Sequence, residues 1–323
     1  MILNTFGAYL RQKDGMFQVE TEGKKAELAP ARIERILITT AVSLTSDALL
    51  LALQHNIDVV FLDKYGEPQA RLWHSRPGST ITIKRRQLAI SAAAEGLALA
   101  LEWVKQKVGN QADFLGELAA NREGEKREKL LEKQEFINRM LPAFDVIEGT
   151  IDEQRGTVMG NEGVCGRAYF EALSLVMPSA WVFNGRSHRP AQDYFNAFLN
   201  YAYGVLYSLV ERAILIAGLD PYTGFIHADN YNKTSLVFDL IERYRITAEK
   251  TVTLLFTGKK VNNDCCRTIP GGFLLDKPGK ELLLRSLNER LDAVVHYKQK
   301  NHKVRDIIQL DCHELAQRLL KGE

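Results

Sequence analysis

The spacing of apolar and polar residues changes character once along the chain. Up to about residue 75 the apolar runs are short and bounded by turn residues, as in β-structure. Gly7-Ala8-Tyr9-Leu10 and Met16-Phe17-Gln18-Val19 flank Lys13-Asp14-Gly15. An Asp-Gly pair between two such runs predicts a tight hairpin, because both residues tolerate positive φ. Residues 35–40 predict a strand and 58–62 a buried one. Thr45-Ser46-Asp47 predicts the cap of a short helix ending near His55-Asn56. A turn is expected at 64–68, leading back into a strand at 70–73, and a linker at 76–82 from its Pro-Gly-Ser punctuation. Beyond it the spacing becomes helical, over 87–108, 121–140, 194–217, 280–298 and 304–320. The segment 194–217 is apolar almost all round, which predicts a central helix closed by Gly218. The charged run Glu123, Glu125, Lys126, Arg127, Glu128 and Lys129 predicts a solvated helix face. The expected fold class is α+β: a small N-terminal β-rich domain (1–78), then a larger all-α domain (79–323).

Composition adds exclusions. The chain has 323 residues, 46% hydrophobic and 25% charged, which excludes a disordered or collagen-like chain and allows two real cores. No apolar run reaches the ~18 residues of a bilayer span. Met1-Ile2-Leu3-Asn4 does not begin a secretory signal, so a cytoplasmic protein without a membrane partner is expected. Lys and Arg number 42 against 40 Asp and Glu. Such a balance leaves nucleic-acid binding to a local patch. Cys165, Cys265, Cys266 and Cys312 include no Cys-x-x-Cys spacing, so reduced thiols are expected and a zinc site is not.

Three segments of the helical part carry unusual polar residues. In Gly160-Asn161-Glu162-Gly163-Val164-Cys165-Gly166-Arg167 the small residues allow close approach of a backbone or ligand, while Glu162 could equally offset a helix N-terminal dipole. His227, in the turn-rich stretch 221–230, suits metal ligation or proton transfer, or a structural hydrogen bond. Asp239 and Glu242 stand three apart, one face of a helix, where the plain alternative pairs Asp239 with Arg243. Taken together, carboxylates and an imidazole suit Mg²⁺ or Mn²⁺ with positions open for phosphate oxygens. Arg167, Arg186, Arg189, Lys233, Arg243, Arg245, Lys259, Lys260 and Arg267 lie nearby in sequence, interleaved with Tyr169, Trp181, Phe183 and Tyr231. Cations on phosphates and aromatics on unpaired bases would hold a strand end. No His-Glu-x-x-His and no Gly-rich phosphate loop supports a small-molecule metallohydrolase.

Gly160-Asn161-Glu162-Gly163 with Arg167-Ala168-Tyr169-Phe170, then Gly224-Phe225-Ile226-His227, then the stretch from Ser235 to Arg245, resemble the motifs of Cas1, the universal CRISPR-associated integrase family. The resemblance extends over almost the whole chain, with Asp58 to Leu62 and Gly66 like the last head strands and Arg85-Arg86-Gln87 like the first body helix. It implies a β-rich head on a helical body, and a metal-dependent DNA integrase and endonuclease of CRISPR adaptation. By motif match the implied catalytic ligands of Mg²⁺ or Mn²⁺ are Glu162, His227 and Glu242, with Asp239 the competing acid. The implied DNA-binding residues are Arg167, Tyr169, Arg186, Arg189, Lys233, Arg243, Arg245, Lys259 and Lys260. The implied partners are DNA (fragment ends and the repeat array), a second copy of the chain through the head domain, and the small companion protein Cas2. A non-catalytic DNA-binding scaffold of the same fold is the alternative, against which the intact Glu162, His227 and Glu242 set argues.

Overall fold

The computed structural model describes all residues except 22, 34, 56, 64–67, 73–79, 182, 189, 228–232 and 323. The expected turn at 64–68, all but its last residue, lies outside the described residues, as do Trp73 and positions 76–79 of the expected linker. The chain falls into two compact units, Met1–Pro77 and Gly78–Glu323.

Among the described residues the first unit holds two four-stranded sheets. In one, β2 (Tyr9–Lys13) pairs antiparallel with β3 (Met16–Thr21), Lys13 opposite Met16. Asp14 and Gly15 between them take φ of 50° and 74°, the double positive-φ turn that the Asp-Gly pair predicts. This sheet runs β4 (Lys24–Leu28), β3, β2, β6 (Ser43–Leu44). The other runs β1 (Ile2–Leu3), β5 (Arg35–Ile38), β7 (Asp58–Leu62), β8 (Pro68–Leu72), with β8 antiparallel. Helix α1 (Ser46–Gln54) starts at Thr45, whose hydroxyl accepts from the Ala48 N–H at 3.3 Å. Leu10, Phe17, Ile36, Ala48, Ala52 and Val59 form the core, while Val60 joins Leu37 and Leu62 in a smaller apolar group, as strand alternation requires. Strand β4, Lys-Lys-Ala-Glu-Leu, lies mostly exposed at the sheet edge, held by backbone pairing with β3 and by Leu28 packed on the core.

The second unit is mainly helical. The helix expected over 87–108 is two, α2 (Thr80–Ser91) and α3 (Ala94–Ala120), bent by 88°. At the bend a Cβ on Gly96 would come within 2.4 Å of the Ile90 carbonyl oxygen, so glycine is what lets the chain fold back so tightly. Helix α3 packs with α4 (Gly124–Met140) and α5 (Ile151–Val176). Helix α5 opens with a capping box between Thr150 and Glu153 and buries Ile151, Val158, Cys165, Tyr169, Ala172 and Val176 along one stripe.

Helix α6 (Tyr194–Ile216) is central, packing against α7 (Ser235–Ile241), α8 (Arg245–Thr257), α9 (Lys277–Asp292) and α10 (Val304–Lys321). Gly218 follows α6 at φ +80°, the expected left-handed stop. The helix expected over 280–298 ends at Asp292. The β-branched and aromatic stretch after it forms β11 (Val294–Tyr297), paired with β12 (Lys300–Lys303) around Lys298 and Gln299 at positive φ. A second hairpin joins β9 (Cys266–Ile269) to β10 (Gly272–Leu275), so the body expected to be all-α also carries two small hairpins. No single described helix is long and apolar enough to cross a membrane. All four cysteines are buried free thiols.

Candidate active site in the helical unit

The chain leaves α6 at Gly218 and returns past α2 and α7. On the α2 side it is fastened by Gln87, which is 0% exposed. The Gln87 amide donates to the Asp220 and Thr223 carbonyls at 2.8 and 2.7 Å and accepts from the Asp220 N–H at 2.9 Å. On the α7 side the approach is so close that a Cβ on Gly224 would come within 2.5 Å of the Ser235 Cβ and 3.0 Å of Asp239 Oδ2. Asp239, 1% exposed, then takes four hydrogen bonds. Its Oδ2 accepts from the Phe225 and Ile226 N–H groups at 2.5 and 3.2 Å, and its Oδ1 accepts from the His227 N–H at 3.0 Å and ring Nδ1 at 2.6 Å. An ionised carboxylate only accepts, so Nδ1 is the donor in this bond, which in the neutral tautomer leaves the lone pair on Nε2. Arg155 of α5 adds a 2.9 Å bond to the Ile226 carbonyl.

Glu162 lies in the middle of α5, away from any helix N-terminus, so the dipole alternative does not apply to it. The helix expected to carry both acids ends at Ile241, and Glu242 stands just past it at a break before α8. The break separates their tasks: Asp239 turns to the loop, and Glu242 turns to Lys107 of α3. The Lys107 ammonium ion-pairs with Glu162 and sits 2.6 Å from Glu242 Oε2, while Arg245 takes Glu242 Oε1 at 3.0 Å. Lys107 is 7% exposed and Glu242 6%. Burial alone would lower the Lys107 pKa, but the Glu242 and Glu162 charges outweigh it and the net shift is upward. Burial would likewise raise the Glu242 pKa, but Arg245 and Lys107 outweigh it and the net shift is downward. His227 is near enough to act electrostatically on the same carboxylate.

Glu162 and Glu242 thus meet around one cation, while His227 is tied to Asp239. Among the described residues no three His, Cys, Asp or Glu side chains are gathered closely enough to hold a single ion. The donors nevertheless fit Mg²⁺ or Mn²⁺: two carboxylates already converge on a positive charge, and the neighbouring imidazole is held by a carboxylate at one nitrogen with the other left as a donor. The hydrogen bonds at Asp239 use both of its oxygens, which favours Glu242 over Asp239 as the acid of such a set.

The cationic residues divide. Arg167, Lys259 and Lys260 are exposed, and Lys233 lies with its ammonium 5.2 Å from the centre of the Phe238 ring. Arg245 is taken up by Glu242 and by Tyr207 at 3.2 Å. Arg243 pairs with Asp311 at 3.2 Å and Gln106 at 2.7 Å rather than with Asp239. Arg186 bonds Asn196 and Asn200 at 2.5 and 2.9 Å. Tyr169 corrects the expectation of a DNA contact: it is fully buried, its ring edge-on to Phe170, because its place on α5 falls in the apolar stripe. Phe183 is buried and Trp181 stacks on Tyr194 at 4.8 Å. Arg189 and Tyr231, with Ala228, Asp229 and Asn230, lie outside the described residues.

Lys107 and Arg155 were not singled out from the sequence, and Gln87 entered only as part of the first body helix, without a role at the site. The signal for Lys107 is a lysine on the apolar stripe Ala100, Trp103, Val104 and Val108 of α3, and Gln87 likewise falls between Ile83 and Ile90 on α2. A polar residue on a buried stripe needs a partner.

Residues 1–289 match the family described as CRISPR associated protein Cas1. The chain is 35% identical to a CRISPR-associated endonuclease Cas1 of Archaeoglobus fulgidus, an alignment covering 100% of this chain and 96% of that one. Two solved structures share its fold. A casposase bound to integration product superposes with a TM-score of 0.84 at 22% identity, over 100% of this chain and 91% of the other. A Cas6-RT-Cas1–Cas2 complex gives 0.81 at 19%, over 100% of this chain and 35% of the other.

Proposed function

Because this chain belongs to the CRISPR-associated Cas1 family, we propose that it is a divalent-metal-dependent DNA integrase and endonuclease of spacer acquisition, working in the cytoplasm. The observation that carries the reading is the convergence of Glu162 and Glu242 on one buried cation beside a carboxylate-held imidazole.

In the proposed reaction the 3′-hydroxyl of a short DNA fragment attacks a phosphodiester at the repeat boundary. A new P–O bond forms as the bond to the old 3′-oxygen breaks, and water in place of the hydroxyl gives cleavage. Glu162, His227 through Nε2, and Glu242 would hold Mg²⁺ or Mn²⁺, which when bound polarises the scissile phosphate and offsets its developing charge. Asp239 keeps the His227 proton on Nδ1 and fixes the ring. Arg245 holds Glu242 ionised and in place. Exposed Arg167, Lys259 and Lys260, with Lys233, supply phosphate contacts whose strength falls with salt. Arg186 and Arg243 act by ordering the elements around the site. Positioning of the reacting ends accounts for the rest of the acceleration.

The partners are DNA, Cas2 and a second copy of the chain. The head unit supplies the dimer contact, and the exposed edge strand β4 supports that assignment. The test of the site is a strand-transfer and cleavage assay with Mg²⁺ or Mn²⁺. His227→Ala and Glu242→Gln are each expected to lose about a thousandfold or more. Product near the wild-type level from either variant would reject the site.

A further inference from the structure

We infer that Lys107 is a built-in counter-ion: it holds the carboxylates of Glu162 and Glu242 together until a divalent cation takes its place. The inference rests on the metal-site reading above and adds a residue that reading does not require.

Two carboxylates brought onto one point repel each other, and burial makes Glu242 especially costly to leave charged and unpaired. The protein meets that cost with an ammonium delivered from a third element. Lys107 comes from α3, Glu162 from α5 and Glu242 from the break after α7, so one side chain ties three separate parts of the body. The groups facing it are those two carboxylates and, with like charge, Arg245 beyond Glu242. Lys107 is buried, its ammonium stands between the same oxygens that would bind the ion, and a four-carbon stem allows the head to withdraw while its base stays packed.

Two consequences follow. Without metal, Lys107 stabilises the folded body by neutralising the pair. With metal, the ammonium must leave, so part of the ion's binding energy is spent on displacing it and the apparent affinity is lower than the carboxylates alone would give. The site therefore discriminates by charge: a monovalent ion gains nothing over the lysine already present, whereas a divalent one does.

The experiment uses the full chain and two readouts other than activity: the melting temperature in EDTA and in MnCl₂, and Mn²⁺ binding by calorimetry or by electron paramagnetic resonance of the free ion. Lys107→Met is expected to melt roughly 5 °C or more below wild type in EDTA. It should bind Mn²⁺ at least about tenfold more tightly and gain more in melting temperature from MnCl₂. Lys107→Arg, which keeps the charge, should resemble wild type in EDTA and bind Mn²⁺ no more tightly. Should Lys107→Met not fold, the double variant Lys107→Met/Glu162→Gln, which has one negative charge fewer, is expected to fold and recover stability in EDTA. Unchanged melting of Lys107→Met in EDTA, unchanged or weaker Mn²⁺ binding by it, or failure of the double variant to recover would overturn the inference. If wild type still binds Mn²⁺ in a way that Glu162→Gln abolishes, the metal site survives that result. Mn²⁺ binding that ignores Glu162→Gln and Glu242→Gln in every background would overturn both.

Discussion

Asp239 carries more of the site's geometry than either carboxylate at the cation. Two hydrogen bonds fall on each of its oxygens, three from consecutive backbone N–H groups and one from the imidazole. In Asp239→Asn the amide nitrogen would face at least one of these donors. The variant should lose roughly 2–4 kcal/mol in a denaturant titration, and strand transfer should fall because His227 is no longer fixed. Wild-type stability would contradict this account of the loop. A second residue-scale prediction concerns alkali. Burial, aided by the Glu162 charge, pushes the Cys165 thiol up to about 11, and burial pushes Cys266 up to about 12. A raised folded pKa means that the folded state keeps the proton longer. The stability from these neutral thiols is intact below the ordinary value of 9.0 and is lost as pH rises through 11 and 12. Melting temperature should fall above pH 9, and Cys165→Ala should show a shallower fall, whatever its value at pH 8. His227 and the acids could be picked out in the sequence because their chemistry is distinctive. Lys107 could not, because one lysine among many reveals a partner only when its helix face is known.

Elements were legible where local chemistry alone decided them. The Asp14-Gly15 turn, the Thr45 cap and the Gly218 stop each follow from one or two residues. They were illegible where tertiary contact overrode propensity. Helix α5 contains Gly156, Gly160, Gly163 and Gly166, each weakening a helix in isolation, and it persists because its other face is buried. The α2–α3 bend depends on a backbone contact that no spacing reveals. These cases predict opposite outcomes for the same substitution. A Cβ at Gly160 meets nothing within 4 Å, so Gly160→Ala should stabilise by about 0.5–1 kcal/mol. Gly96→Ala, driven against a carbonyl, should cost on the order of 2 kcal/mol or more. Chemical denaturation of the pair decides it, and similar effects at both positions would mean the α2–α3 bend does not depend on glycine. The C-terminal elements also reach inward. Asp311 of α10 accepts from the Tyr244 hydroxyl at 2.6 Å and from Tyr297 of β11, and pairs with Arg243, so the two residues after Glu242 are held by chain beyond the segment matched to the family.

For the whole molecule, a net charge of +2 gives little long-range attraction to a polyanion, so under the proposed function DNA is held by local cationic patches, with partner proteins adding positive surface. The dimer proposed above is tested at this scale. In β4 an antiparallel pairing with its own copy centred on Ala26 would set Lys25 opposite Glu27 twice, favourable cross-strand charge pairs. Ala26→Pro, which removes a backbone donor there, should convert dimer to monomer in analytical ultracentrifugation. An unchanged dimer would place the contact elsewhere. One further result comes from Gln87, which clasps the 220–223 turn by both ends of its amide. Two stretches of the gene more than a hundred codons apart therefore encode a single joint. Across divergent descendants, loss of that amide should travel with a rebuilt turn, so drift in one will be readable as compensation in the other.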